Sequence, residues 1–475
     1  MVSTSLNPDK LAVPSPQTSE NKARSAWRLS DRVFEPIDIA PLVFFRITFG
    51  LLMILEVAGY TVAGLVRDNW VRPEMHFTYF GFGWVPGLGT WTYALVGVCL
   101  VAAIGIMLGA FYRLSAAVFA FGFTWFYLME QSNYMNHFYL ICLLAFVALV
   151  IPADRALSID VRRNPGRRAA TVPRWTLLLV QAHMVIGYFF GGVAKINGDW
   201  LRGEPVRTWL HDGSIGRQLG PAFQNEFTVY ALCYGGMLFD LLVVPFLIWR
   251  KTRLYALAAA IFFHLSNAYL FDIGVFPFLS IALTLLFLDP RWHRKVLRLD
   301  KNEASLSLKW GSRSLVGGLL AAYFAYHLFM PFRHWLYPGE VHWTEEGHRY
   351  SWHMMLRTKN ATAHFIVEDK QSGKLWRVRP EQYLSRRQFR KMSVHPEMLL
   401  QFAHYLRAKW QPQDVAVYAI ANVKLNDHEP ALLINPNVDL AKEKITLASS
   451  DWILPFENKQ TVPGRFRLAV DAPKR

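Results

Sequence analysis

Long apolar segments recur along the first two thirds of the chain. Each is close to the length of about 20 residues that an α-helix needs to cross the hydrocarbon core of a bilayer. The pattern predicts nine membrane spans, at residues 39–66, 91–110, 114–130, 138–152, 174–196, 227–249, 252–271, 273–289 and 314–331. The fold class that follows is a polytopic α-helical membrane bundle.

The pattern changes after Pro331, where apolar runs give way to mixed α and β signals. Residues 364–380, "HFIVEDKQSGKLWRVRP", are two alternating stretches around a Gln-Ser-Gly turn, which predicts a hairpin. Pro396 opens a stretch with apolar residues at helical spacing. Residues 413–426 and 431–436 favour two further strands. The bundle is therefore expected to carry a C-terminal α/β domain.

The basic residues are unevenly distributed between the predicted loops. The formal net charge of +16 could indicate a nucleic-acid partner. With the N-terminus inside, however, the cytoplasmic segments hold 22 Lys and Arg residues and the outer loops hold five. This asymmetry follows the positive-inside rule. It predicts a cytoplasmic N-terminus and an extracytoplasmic C-terminal domain, and it accounts for much of the charge without nucleic acid.

Three regions result from these patterns. Residues 1–38 are rich in Ser, Pro, Lys and Asn and lack an apolar signal core, which predicts a disordered cytoplasmic tail. Residues 39–331 form the membrane domain, and residues 332–475 form the outer soluble domain. The three cysteines lie inside apolar runs and indicate packing, with no disulfide framework. A bacterial inner membrane is the favoured location, with a periplasmic outer domain, or a lumenal one in a eukaryote.

Polar residues interrupt the apolar pattern at one predicted depth. Lys195 ends the fifth span, Asn136 and His137 precede or begin the fourth, and His264 and Asn267 share one face of the seventh. Each has a structural explanation: a lysine that snorkels, a helix cap, or an interhelical hydrogen-bond pair. Their coincidence near the outer ends of three spans favours a common site, because polar groups at membrane depth are rare.

The fifth span also has small residues before its lysine. Gly187 and Gly191 precede Lys195 at intervals of four residues, and Gly192 widens the bare strip. A helix–helix contact and a groove for a flat ligand are both compatible with this spacing.

Three charged residues lie deeper in the predicted spans. Arg46, Glu56 and Asp240 are expected to form structural ion pairs, with partners that one sequence does not identify. No metal-ligand motif occurs in the sequence, and no metal is expected.

Several pieces of the sequence, in order, resemble one family. These are "FFRITFGLLMILE", "GIMLGAFYRLS", "NHFYLICLLAF", "YFFGGVAKINGDW", "GGMLFDL", "FHLSNAYLFDIGVF" and "YSWHMM". Over roughly residues 40–450 the chain resembles the vitamin K-dependent gamma-glutamyl carboxylases, within the HTTM-domain membrane proteins. That family couples oxidation of vitamin K hydroquinone by O2 to removal of a glutamate γ proton and addition of CO2, a carbon–carbon lyase-type activity.

The resemblance implies roles for individual residues. Lys195 matches the catalytic lysine, which acts as a neutral amine, and burial in an apolar pocket can lower an amine pKa by several units. His137 beside Asn136 matches the histidine linked to carboxylation. The quinone slot is expected to involve Gly191, His264, Asn267, Met354 and Met355. The glutamate slot is expected to involve Tyr350, Trp352 and His353.

The chain also departs from the animal pattern. Ala194 stands where animal members have a second lysine, and His353 stands where they have an acid.

The expected cofactors are vitamin K hydroquinone of the phylloquinone or menaquinone type, O2 and CO2. The expected partners are a glutamate-containing protein or peptide, membrane lipid and a quinone reductase. Two other readings stay open, an uncoupled vitamin K quinol epoxidase and a noncatalytic quinone- or lipid-binding protein; a small-molecule transporter is less consistent with polar residues on one side.

Overall fold

The apolar part of the chain folds as a helical bundle in the structure, a computed structural model that describes residues 29–299 and 312–473. The helices up to the end of this bundle are α1 Leu29–Phe34, α2 Ala40–Val62, α3 Thr92–Leu108, α4 Tyr112–Leu128, α5 Asn136–Val150, α6 Ile159–Arg163, α7 Arg174–Ala194, α8 Gly198–Leu201, α9 Val206–His211, α10 Ser214–Leu219, α11 Glu226–Ile248, α12 Arg253–Leu270, α13 Phe276–Leu285, α14 Pro290–Leu297 and α15 Arg313–Phe332.

Each of the nine predicted spans contains a helix of this bundle. Five helical segments of the described residues are long and apolar enough to cross a membrane: Ala40–Val62, Gly89–Leu108, Arg174–Ala194, Glu226–Ile248 and Arg313–Leu336. Asn136–Val150 and Phe276–Leu285 are apolar but shorter. At 1.5 Å per residue, the ten residues of α13 rise only about 15 Å. The membrane-type bundle is thus present, and the nine-span topology stays a prediction.

The predicted tail lies outside the described residues as far as residue 28. For residues 29–38 the prediction of disorder is corrected, because they form α1 and the strand β1, Pro36–Asp38. This strand pairs antiparallel with β2, Thr171–Pro173, so that Ile37 lies opposite Val172. Asp38 also forms an ion pair with Arg294. Backbone pairing and this ion pair fix a segment whose composition alone favoured disorder.

The charged residues inside α2 form hydrogen bonds to backbone groups. The Arg46 guanidinium donates to the carbonyl oxygens of Met107 at 2.7 Å and Leu157 at 2.6 Å, so it caps the end of α3. Glu56 accepts from the Val275 N–H at 3.3 Å. The expected structural ion pairs of Arg46 and Glu56 are therefore replaced by contacts to helix ends.

The C-terminal part is a mixed sheet flanked by helices. Its strands are β3 Lys359–Asp369, β4 Leu375–Val378, β5 Val415–Leu425, β6 Ala431–Leu432 and β7 Val470–Asp471, in the order β6-β5-β3-β4-β7. Its helices are α16 Val341–Thr344, α17 Arg386–Met392 and α18 Pro396–Lys409. The predicted hairpin is confirmed, with Phe365 opposite Val378, and Pro396 begins the predicted helix. One face of the sheet buries Phe365 against Phe402 of α18.

Hydrogen bonds join this domain to the loops of the bundle. The Gln401 side chain of α18 accepts from the Thr78 N–H at 2.8 Å and donates to the Thr78 carbonyl at 2.9 Å. The Gln388 amide of α17 donates to buried Glu130 at 2.9 Å. Such satisfied buried polar contacts fix α17 and α18 above the outer-loop end of the bundle.

Candidate active site

Lys195 directly follows α7 and lies in a buried ion pair. Its Nζ is 2.6 Å from Asp240 Oδ2 on α11 and donates to the Gly191 carbonyl at 3.2 Å. The two charged side chains are 8% and 6% exposed. The Trp200 ring lies 5.4 Å from the amine. Lys195 is therefore paired inside the protein and does not snorkel, and Asp240 is the deep charge that forms the expected ion pair.

The glycines of α7 serve two contacts. A Cβ added at Gly192 would lie 2.8 Å from Leu241 of α11, so this glycine permits close helix packing. A Cβ at Gly187 would lie 3.8 Å from the Trp352 ring, and one at Gly191 would lie 3.2 Å from Met354 Cε. The helix contact is therefore present, whereas Gly187 and Gly191 pack against Trp352 and Met354, so a groove for a flat ligand stays a prediction.

Asn136 and His137 begin α5, and Asn136 contacts the segment Tyr350–Met355. The Asn136 amide donates to the His353 carbonyl at 3.0 Å and accepts from the Tyr134 hydroxyl at 2.9 Å. The Tyr134 hydroxyl also accepts from the Tyr350 N–H at 2.7 Å. The His137 ring is buried and stacks on a neighbouring aromatic ring. Asn136 therefore positions the segment Tyr350–Met355 against the start of α5.

The segment from Tyr350 to Met355 has an unusual backbone. Tyr350, Trp352 and Met355 have φ angles of 65°, 60° and 53°, in the left-handed region that costs non-glycine residues free energy. Trp352 is 2% exposed and lies 5.7 Å from the Tyr139 ring. Strained residues of this kind are concentrated at functional sites.

His353 points into a group of histidine rings. Its ring centroid is 4.8 Å from that of His334 and 5.3 Å from those of His342 and His348. Burial, together with neighbouring His342 and His334, lowers the pKa of His353 to about 2. The imidazole is therefore neutral at physiological pH and does not supply the negative charge that an acid would.

A cavity of about 640 Å³ lies between the bundle and the outer domain. Asn136, His137, His353, Met354 and Met355 contribute to its walls. Five of the residues predicted from the sequence therefore meet around one space. The volume is within the range of about 300–1,000 Å³ that small-molecule sites occupy.

Family models match both parts of the chain. The HTTM domain model matches residues 34–292, and the model of the lumenal domain of vitamin K-dependent gamma-carboxylase matches residues 312–459. The chain belongs to the vitamin K-dependent gamma-carboxylase family. No solved structure matches it. Carboxylase-family membership implies vitamin K, a glutamate-containing protein substrate and membrane association.

Other predicted residues lie outside the cavity walls of this carboxylase-family protein. Lys195 and Gly191 are not among the lining residues, although the methyl group of Met354, which does line the cavity, is next to Gly191. Tyr350 and Trp352 pack behind the wall.

The two predicted residues of α12 also lie apart from the cavity. His264 Nε2 is 2.6 Å from the Tyr188 hydroxyl, which is the interhelical hydrogen bond that the sequence left open. Asn267 is half-buried one turn further along the helix. Within the described residues, neither side chain reaches the cavity wall.

Sequence reasoning missed the basic residues on the outer wall of the cavity. Arg357 and Lys359 follow the YSWHMM segment directly, so their proximity to it was a usable signal. Arg390 and Lys391 of α17 also line the wall. They are some forty residues from the YSWHMM segment in the chain, and no local sequence pattern predicts that they line the cavity.

Proposed function

We propose that the protein is a vitamin K-dependent gamma-glutamyl carboxylase. It would couple O2-dependent epoxidation of vitamin K hydroquinone to CO2 addition at a glutamate of a protein or peptide. The observation that carries the proposal is the cavity between the two family domains, with the Lys195–Asp240 pair immediately behind its wall.

The cavity walls suit an amphipathic pair of substrates. Towards the bundle, the His137 ring stacks on Phe276 with centroids 5.6 Å apart, and Ile273, Met354 and Met355 add apolar surface. Flat rings and thioethers of this kind suit a naphthoquinol ring. Towards the outer domain, the wall carries arginine and lysine side chains that suit a carboxylate. The residues present thus fit both the quinol and the glutamate.

In this proposal Lys195 passes its own proton to the Asp240 carboxylate, 2.6 Å away, and its neutral Nζ then accepts the proton of the quinol hydroxyl. The vitamin supplies, when bound and oxygenated, the strong base that no side chain offers. Asp240 holds the amine in place and balances its positive charge, which keeps a charged group tolerable among apolar helices. Lys195 does not line the cavity, whereas Met354 does and lies next to Gly191, so contact between the amine and the quinol would require the flexible Met354 side chain to move.

His137 and Asn136 serve the carboxylation half. Asn136 fixes the backbone of His353 and so the position of Met354 and Met355. His137 presents a buried imidazole to the cavity, where it would hold or move a proton at the reacting glutamate or at bound CO2. The buried Trp352 ring packs against α7 at Gly187 and would exclude water from that side of the site.

The proposal includes a location. Nine spans would place the cavity at the outer side of a bacterial inner membrane, with a cytoplasmic N-terminus and a periplasmic outer domain. A hydroquinone would then arrive through the lipid and a peptide through the aqueous phase. A membrane quinone reductase is the partner that would supply the reduced vitamin.

The test uses purified protein with vitamin K hydroquinone, O2, carbon-14 bicarbonate and a short glutamate-containing peptide. Epoxide and fixed label are followed together. Both products are expected. Epoxide without label would replace the proposal with an uncoupled quinol epoxidase, and neither product would favour a noncatalytic quinone or lipid binder.

A further inference from the structure

The outer wall of the cavity carries more positive than negative charge. Its cationic side chains, among the described residues, are Arg349, Arg357, Lys359, Arg390 and Lys391. Like charges collected around one cavity repel each other, and the repulsion is stronger for the buried ones because the local dielectric constant is lower than that of water. A bound anion would remove this cost.

Three of these cations already contact a carboxylate within the protein. Arg349 pairs with Glu397. Arg357 and Lys359 both pair with Glu345, the lysine at 3.0 Å. Although burial opposes it, these two cations hold the pKa of Glu345 well below its usual range, so the carboxylate is ionised. Each of these three cations therefore has a carboxylate partner, although Arg357 and Lys359 share one.

Arg390 and Lys391 differ from them. Neither has an acidic partner within bonding distance among the described residues. Lys391 is half-buried. Burial first, and then Arg387 and Arg357 nearby, lower the pKa of Lys391 to about 8, against the opposing effect of Glu345. The lysine is thus a cation that its surroundings already disfavour, which is the condition that an anionic ligand relieves.

We propose that Arg390 and Lys391 form a subsite for the side-chain carboxylate of an acidic residue that flanks the target glutamate. The inference rests on the proposed function and specifies its substrate class as acidic peptide segments. The guanidinium can bind a carboxylate through two hydrogen bonds, and the ammonium adds a point charge.

The location of the pair favours a peptide over a lipid phosphate. Both side chains belong to α17 of the outer domain, which is held by Gln388 to Glu130 above the bundle. Lys391 shares the cavity wall with His395 and Arg357, which are polar groups of the same domain. A segment entering from the aqueous side meets this wall before it meets the apolar part around Phe276.

Binding is measured without any need for turnover. Two fluorescent peptides carry glutamine in place of the target glutamate and differ only in flanks of aspartate or asparagine. Their Kd values for full-length protein in neutral detergent are compared by anisotropy. The wild type should prefer the aspartate peptide about tenfold, equivalent to about 1.4 kcal/mol.

The double variant Arg390→Gln/Lys391→Gln should lose this preference, and Lys391→Arg should keep it. Arg386→Gln is the matched control, because Arg386 is exposed on the same helix and is not part of the wall. Equal affinity of the wild type for both peptides, or an unchanged preference in the double variant, would overturn the proposal.

Binding of a lipid phosphate by the pair is the alternative, and it is tested by measuring the same peptide affinities for the same proteins in vesicles of phosphatidylcholine with or without phosphatidylglycerol. If the double variant loses only a response to phosphatidylglycerol and keeps the peptide preference, the pair binds lipid phosphate and the peptide subsite is wrong. Failure of the proposed function is separate: the acidic-flank preference would remain while the carboxylation assay fixes no label.

Discussion

Breaking the Lys195–Asp240 pair should destabilise the protein strongly. Each side chain is less than a tenth exposed, and the atoms lie 2.6 Å apart. Removing one partner leaves the other buried and unpaired, which costs about 3–5 kcal/mol. Lys195→Met or Asp240→Leu alone should therefore lower the unfolding temperature clearly, whereas the double variant should recover most of the loss, because apolar pairs of similar volume replace buried ion pairs at little cost.

The measurement is thermal unfolding of the four proteins in one detergent and lipid mixture. Asp68→Asn is a suitable control, because its ion pair with Arg72, at 3.2 Å, is about half exposed and should contribute little. A double variant less stable than either single variant would refute the reasoning, as would a single variant that unfolds with the wild type.

Three further results are expected. Gly191→Ala should fold normally and reduce epoxide formation severalfold, because its Cβ meets a flexible methionine methyl group at 3.2 Å. Gly192→Ala should instead lower the free energy of unfolding by about 1–3 kcal/mol, because its Cβ meets the Leu241 side chain at 2.8 Å and the Leu241 backbone nitrogen at 3.1 Å. His137→Ala should reduce fixed label more than epoxide, and equal loss of both would contradict its assignment to carboxylation. Affinity for the aspartate-flanked peptide should weaken as the pH rises through about 8, because Lys391 loses its charge above its pKa; a titration that is flat from pH 7 to 9 would count against this.

The helices of the bundle were predictable because their signal is local. Apolar runs identify α2 or α11 without knowledge of their neighbours. The hairpin of residues 364–380 and the helix after Pro396 were predictable for the same reason, since turn residues and helix starts lie within a few positions of what they control. The structure of residues 29–38 was not predictable in this way, because the strand with which they pair, Thr171–Pro173, is distant in the sequence.

The candidate site was predictable only in part. Lys195, His137 and the segment around Trp352 stand out by residue type and by their resemblance to a family. The partner of Lys195 does not, because Asp240 reaches it through packing of α7 on α11, and that register is a property of the folded bundle. His264 was predicted to line the quinone slot, but in the structure it contacts the Tyr188 hydroxyl. Which neighbour a helix residue contacts depends on the rotation of the helix about its axis, and one sequence does not give that rotation.

The most direct test of the central claim is epoxide formation by Lys195→Ala, assayed well below its lowered unfolding temperature and with the variant shown to be folded there by its elution profile. Epoxide and fixed label should both disappear, and a small primary amine added to the assay should restore part of the epoxide, because the missing group is an amine in a space that the substitution opens. Turnover at the wild-type rate without added amine would remove Lys195 from the chemistry and leave the Lys195–Asp240 pair with a structural role.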